Sequence, residues 1–122
     1  MMEDLSFVAL QKLLDAAALR QKVIANNLAN VNTPGYCRRV VRFDDHLARA
    51  LASGDLEQLR QWRPTVAKSH DPALRPDGNN VSLERELADL MKNTLLYNAC
   101  TRLLSARIEA YRAAITGQSS PV

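Results

Sequence analysis

The sequence predicts a mainly α-helical chain: two long N- and C-terminal helices packing in coiled-coil fashion, joined by an irregular middle of short helices and loops. Three observations carry this. Apolar residues step by three and four through both ends of the 122-residue chain. Neither periodic stretch contains Pro or Gly. Aromatics are only 5% while Ala and Leu dominate, a composition that suits helix better than sandwich or barrel.

The first element lies within residues 1–32. Phe7, Leu10, Leu14, Ala17, Gln21, Ile24, Leu28 and Val31 form a heptad seam with one polar break at Gln21. The spacing predicts a helix of about 25 residues, about 40 Å long. Asn30 and Asn32 tolerate left-handed backbone angles and compete for backbone hydrogen bonds at its end. Pro34 pushes Thr33 out of helical geometry, and Gly35 supplies positive φ. Thr33-Pro34-Gly35-Tyr36 therefore reads as a type II turn.

The middle spans residues 33–80. Val40, Val41 and Phe43 suggest a short extended piece, Asp44 a cap for a short helix through Leu51, and Asp55 a cap for another through Trp62. Ser53-Gly54 separates the two. Prolines 64, 72 and 76, with Asp77-Gly78-Asn79-Asn80, read as a loop from Arg63 to Asn80.

The second long helix lies within residues 81–117, followed by a tail, 118–122. Leu83, Leu87, Leu90, Thr94, Tyr97, Thr101, Leu104, Ile108, Tyr111 and Ile115 again step by three and four. Ser82 is the expected N-cap, Glu84 and Glu86 complement the helix dipole, Arg112 falls in the last turn and Gly117 follows the end. This predicts about 33 residues, about 50 Å. Two such helices cannot cover each other's stripes alone, so self-association or entry into a larger bundle is expected.

Function classes narrow by elimination. A net charge of +3 and a pI near 9.1 are mild for a nucleic-acid binder. Arg38, Arg39 and Arg42 are the one dense basic run, read as a solvated or packing edge, with contact to acidic surfaces or phosphate as the alternative, which would make the chain a small helical nucleic-acid-binding or regulatory protein. Cys37 and Cys100 belong to no metal-ligand spacing, and no metal or cofactor is expected. His46 and His70 stand apart from any nucleophile, so an enzyme is not expected. Glu3 and Asp4 occupy the place of a signal peptide's basic residues, and no apolar run approaches ~18 residues; neither a cleaved secretory signal nor a membrane span is expected.

The asparagines need more than capping. Asn26 and Asn30 share a helix face, and Asn93 offers a similar amide on the second helix. Asn26, Asn27, Asn30, Asn32, Thr33, Pro34, Gly35 and Tyr36 are taken as an assembly motif. Leu10, Leu14, Ile24 and Leu28, with Leu87, Leu90, Tyr97, Leu104 and Ile108, are taken as assembly seams.

The stretch from Ala25 to Tyr36 resembles the N-terminal signature of bacterial flagellar axial proteins, the rod, hook and hook-associated components. A second block, Asp77, Gly78, Asn79 and Asn80 with Asn93, Tyr97 and the run to Ile115, is similar to a proximal rod member of that family. The resemblance covers roughly half the chain, at its two ends. It implies a structural, non-enzymatic subunit of the basal-body rod, exported by the flagellar type III apparatus without a cleaved signal. The partners it implies are further copies of the chain, other rod proteins, and the export-gate and membrane-ring components. Its implied location is the periplasmic rod.

Overall fold

A computed structural model describes residues 4–117. Helix α1 runs Leu5–Ala29 and helix α4 runs Leu83–Thr116. Between them come strand β1 (Arg39–Arg42), helices α2 (Asp44–Ala52) and α3 (Leu56–Gln61), and strand β2 (Thr65–Lys68). The expected tail, 118–122, lies outside the described residues.

The long helices are antiparallel. Asn27 meets Glu86, Ala17 meets Asn93, and Asp4 meets Arg107. Asp4 caps α1 by accepting the Phe7 N–H at 2.8 Å. The Arg107 guanidinium ties that cap to the far end of α4 at 2.6 Å, and Phe7 and Tyr111 meet edge to face nearby. The Phe7 N–H, the Ser6 hydroxyl and Arg107 together hold the Asp4 carboxyl below the usual carboxylate range against the opposing pull of partial burial.

On α4 the contact face follows Glu86, Leu90, Asn93, Leu96, Cys100, Leu104, Arg107 and Tyr111, with Glu86, Asn93 and Cys100 buried and Tyr97 at its exposed edge. This seam shares Leu90, Leu104 and Tyr111 with the sequence-predicted one. At the positions between, the covered residue comes one place earlier, a step of about 100° around the helix. Leu83, Leu87, Thr94, Thr101 and Ile115 therefore face solvent, while Glu86, Asn93 and Cys100 face α1.

Helix α1 is covered on two sides, since the middle segment packs beside α4 on a further face, and Leu96 of α4 reaches the same cluster. Val8 packs with Ala50 and Leu59, and Ala16 with Val41 and Phe43; Leu47 and Trp62 touch both clusters and join them. A helix buried on two faces has little amphipathic contrast, so its sequence pattern shows only part of its contacts.

Asn30, the C-cap of α1, has φ −106°, and no residue other than glycine has positive φ among those described, so the left-handed tolerance of the asparagines is not used. Three local expectations change. Asp44 is the first residue of α2, not its cap, and Phe43 precedes it. Arg112 falls just short of α4's last turn. The Arg63–Asn80 loop contains β2, which pairs antiparallel with β1 in the register Val40↔Ala67 and Val41↔Val66. A two-stranded ribbon is marginal alone. Here α1 supports it: Val41 is buried, its carbonyl accepts from Arg20, and the Arg20 guanidinium lies 4.2 Å from the Phe43 ring centroid. Asp55 and Ser82 cap α3 and α4 as their positions predict, and Gly117, with φ 73°, ends α4.

Candidate assembly site

The turn after α1 has the predicted form. Tyr36 N–H donates to Thr33 O at 3.2 Å, and Gly35 has φ 72°. Against it packs the second motif. Gly35 N–H donates to Asp77 O at 2.8 Å and Asn80 N–H to Tyr36 O at 3.4 Å. Gly78 lies so close that a Cβ there would sit 3.6 Å from Gly35 Cα.

Asn79 makes this junction a helix cap delivered from a distance. Its buried amide Nδ2 donates to the carbonyls of Asn30, Val31 and Thr33 at 2.8 to 3.2 Å, groups left open where α1 ends. Its Oδ1 accepts the Val81 N–H at 2.7 Å. Arg75 adds hydrogen bonds to Val31 O and Val81 O. Asn80 Oδ1 accepts the Arg38 N–H at 2.6 Å while its Nδ2 reaches Asp71 O.

Asn27 joins three elements. Its side chain pairs with the backbone of Arg39 as a strand neighbour would, accepting from N–H at 2.9 Å and donating to O at 2.8 Å. It also donates to Glu86 Oε2 and accepts from the Tyr36 hydroxyl. All four hydrogen-bonding positions of the amide are used, which no other side chain of that size reproduces.

Beneath this lies a buried ion pair. The Glu86 carboxylate is fully buried and accepts from Arg38 Nε at 2.7 Å. Arg38 also reaches Asp71 at 3.2 Å and Asp89 at 3.6 Å, and Arg85 binds Asp71 at 2.9 Å. Burial works against the Arg38 charge, but Glu86 and Asp71 outweigh it and raise its proton affinity. The Ser69 hydroxyl first, then Arg85 and Arg38, hold the Asp71 carboxyl below the usual range.

Chemically, this arrangement holds segments together. Its polar atoms are engaged with one another, and Cys37 and Cys100 are free thiols, with Cys100 pushed up by burial.

The two motifs that carry the flagellar resemblance are thus one structural unit. A family model described as "Flagella basal body rod protein" matches residues 14–36. The flagellar basal body rod protein FlgB of Borrelia hermsii is 30% identical over 118 residues, covering 82% of this chain and 87% of that protein. FlgB of Cereibacter sphaeroides is 32% identical, covering 81% and 84%, and FlgB of Bacillus subtilis 29%, covering 88% and 91%. The chain belongs to the FlgB family of flagellar basal body rod proteins. These FlgB relatives span the middle segment as well as the two ends where the resemblance was first legible.

The remaining predicted residues divide by exposure. Asn26 donates to the Tyr36 hydroxyl, Asn30 to Asn26 O, and the Thr33 hydroxyl to Asn30 Oδ1, all at the surface. Asn32, Thr33 and Pro34 are exposed. Asn93 joins neither Asn26 nor Asn30; it donates to Ala17 O and Gln21 Oε1 midway along α1. Ile24 is buried, and Leu10, Leu14, Leu28, Leu90, Leu104 and Ile108 are half-buried. On the outer side of α4, Leu83, Leu87, Met91 and Leu95 form an exposed apolar ridge at four-residue spacing, the last two about 70% exposed. Arg38 and Glu86 were missed as a buried pair, since each has a solvent-facing reading in its local sequence.

Proposed function

We propose that the chain is a structural subunit of the proximal flagellar rod, self-assembling through its terminal helices and transmitting torque. The observation that carries this is the Leu83, Leu87, Met91 and Leu95 ridge. It lies on a 34-residue helix whose opposite face α1 occupies. Exposed large apolar side chains in one row mark a surface that meets another protein.

In this reading the closed network around Asn27, Asn79 and Glu86 makes the two helices and the turn one rigid piece. The exposed Asn26, Asn32, Thr33 and Pro34 lie where a neighbouring subunit meets it. Further copies of the chain, other rod proteins, and the export-gate and membrane-ring components are its partners. It reaches the periplasmic rod through the flagellar type III apparatus and performs no catalysis. The nucleic-acid alternative is weakened because Arg38, one third of the basic run, is engaged with Glu86, Asp71 and Asp89.

Deleting the gene and complementing it tests this. Basal bodies should lack rods in the deletion strain and regain them with the intact chain, but not with a chain truncated before Leu103. Rods and swimming unchanged by the deletion would overturn the proposal.

A further inference from the structure

Strand β2 has one edge joined to β1 and one edge open. The order of its hydrogen bonds follows from the other partners of β1. Arg39 turns its N–H and C=O to the Asn27 side chain, and Val41 turns its C=O to Arg20. Both residues therefore point their main-chain groups away from β2, whereas the Arg38 C=O points toward it and accepts the Ser69 N–H at 2.9 Å. In an antiparallel ladder, directly opposed residues share this alternation. Lys68, opposite Arg39, and Val66, opposite Val41, thus point their N–H and C=O out of the free edge. None of these four groups has a hydrogen-bond partner among the described residues. The register runs from Arg39↔Lys68 to Arg42↔Thr65 without a bulge, and Thr65, Val66 and Lys68 are exposed. Asn27 and Arg20 close the edge of β1, so the ribbon can grow only at β2. The main-chain groups waiting there are those an extended peptide complements.

A second observation is electrostatic. Arg39 and Lys68 lie directly opposite each other on one face of the ribbon, where like charges repel. Neither makes an ion pair among the described residues. A carboxylate one strand further out, opposite Lys68, balances that row. The neighbouring row on the same face, Val41 and Val66, ends in a side chain 44% exposed and is completed by an apolar residue. The two rows together specify an extended segment with a carboxylate and an apolar side chain two positions apart. An edge lysine also blunts a strand against unwanted pairing. Here it does so against a second copy, since β2 on β2 brings two Arg39–Lys68 rows onto one sheet, while an acidic strand removes the repulsion.

We propose that the free edge of β2 accepts an acidic, extended segment of a partner protein as a third strand. This edge is separate from the outward ridge of α4 and does not depend on self-assembly through it.

The test is fluorescence polarisation with the whole chain and a short fluorescein-labelled peptide repeating Glu-Thr-Val-Thr. Its Glu and Val amides would face β2 and its Thr amides would face away. The peptide should bind, and a counterpart with Lys in place of Glu should not. N-methylation of the Glu and Val amides should abolish binding, and N-methylation of the Thr amides should leave it. Val66→Pro removes an outward N–H and no ladder bond, so it should keep the parent's circular dichroism and weaken binding by about tenfold or more. Lys68→Glu should weaken it similarly, and decides the matter with the two N-methylated peptides if Val66→Pro does not fold. Arg42→Glu, the same charge change on the other face of the ribbon, should leave most of the affinity. No binding by the Glu peptide, equal affinity of the two N-methylated peptides, or equal loss in Lys68→Glu and Arg42→Glu would each overturn the assignment. So would tighter binding of labelled duplex DNA through Lys68, or a dimer of the chain alone that Val66→Pro disperses.

Discussion

Replacing Arg38 by Ala probes the junction at its most demanding point. The Glu86 carboxylate, fully buried, holds Arg38 Nε at 2.7 Å and Asn27 Nδ2 at 3.2 Å. Without the guanidinium it keeps one neutral amide donor. Leaving one member of a buried pair uncompensated costs about 3–5 kcal/mol, against a total stability of about 5–15 kcal/mol for a domain. Removing both charges, as Arg38→Met with Glu86→Leu, eliminates the buried carboxylate itself and is expected to stay within about 2 kcal/mol of the parent chain. The assay is urea unfolding followed by far-ultraviolet circular dichroism for the parent, each single variant and the double. The double should be more stable than Arg38→Ala, and the cycle closed with Arg38→Met and Glu86→Leu as its singles should give a coupling of about 3 kcal/mol. If Arg38→Ala shows no folded baseline, the double should restore a cooperative transition. A loss below about 1 kcal/mol in Arg38→Ala, or strict additivity of the singles, would refute the reasoning.

Other expectations follow from the same geometry. Asn79→Asp should destabilise more than Asn79→Ala, because it points a carboxylate at three carbonyls that need a donor; equal urea midpoints would contradict the assigned cap. A Cβ at Gly35 meets no atom within 4 Å, so Gly35→Val is opposed chiefly by the positive φ, at least about 1–2 kcal/mol for a β-branched residue. Helix content should persist by circular dichroism while complementation of motility fails, and normal swimming at parental protein levels would count against a role for the turn in assembly. The lowered Asp71 value stabilises the fold above about pH 4, and that contribution is lost as the pH falls through the lowered value. Asp71→Asn should flatten the acid limb of stability against pH; an unchanged limb would remove Asp71 from that account.

The limits of the long helices were legible because local chemistry sets them: uninterrupted helix formers, Ser82 as a cap, and glycines with positive φ at 35 and 117. The α1–α4 contact was half legible. A search for apolar heptads finds Leu90, Leu104 and Tyr111, but it then selects Leu83 and Leu87 over Glu86, Asn93 and Cys100. The latter are buried by hydrogen bonding and small size, which apolar periodicity cannot register. Strand β2 was hidden because Thr65-Val66-Ala67-Lys68 is short, follows Pro64, and depends on a partner across two helices. Arg38 and Glu86 are separated by 48 positions. Alternation in an extended segment would set Arg38 and Arg42 on one side, yet Arg38 is buried while Arg39 and Arg42 are exposed, so the local pattern does not single out Arg38. Asn27 was read as one amide among four, and only the fold distinguishes it by bringing Arg39, Tyr36 and Glu86 to it.

The central claim is that the outward ridge of α4 joins subunits in the rod. Met91→Asp with Leu95→Asp, at two of the most exposed apolar positions, should leave the monomer's circular dichroism and urea midpoint unchanged. Introduced into the deletion strain at parental levels, the double variant should be absent from purified basal bodies and should not restore rods. Basal bodies containing the variant at parental amounts would contradict the account.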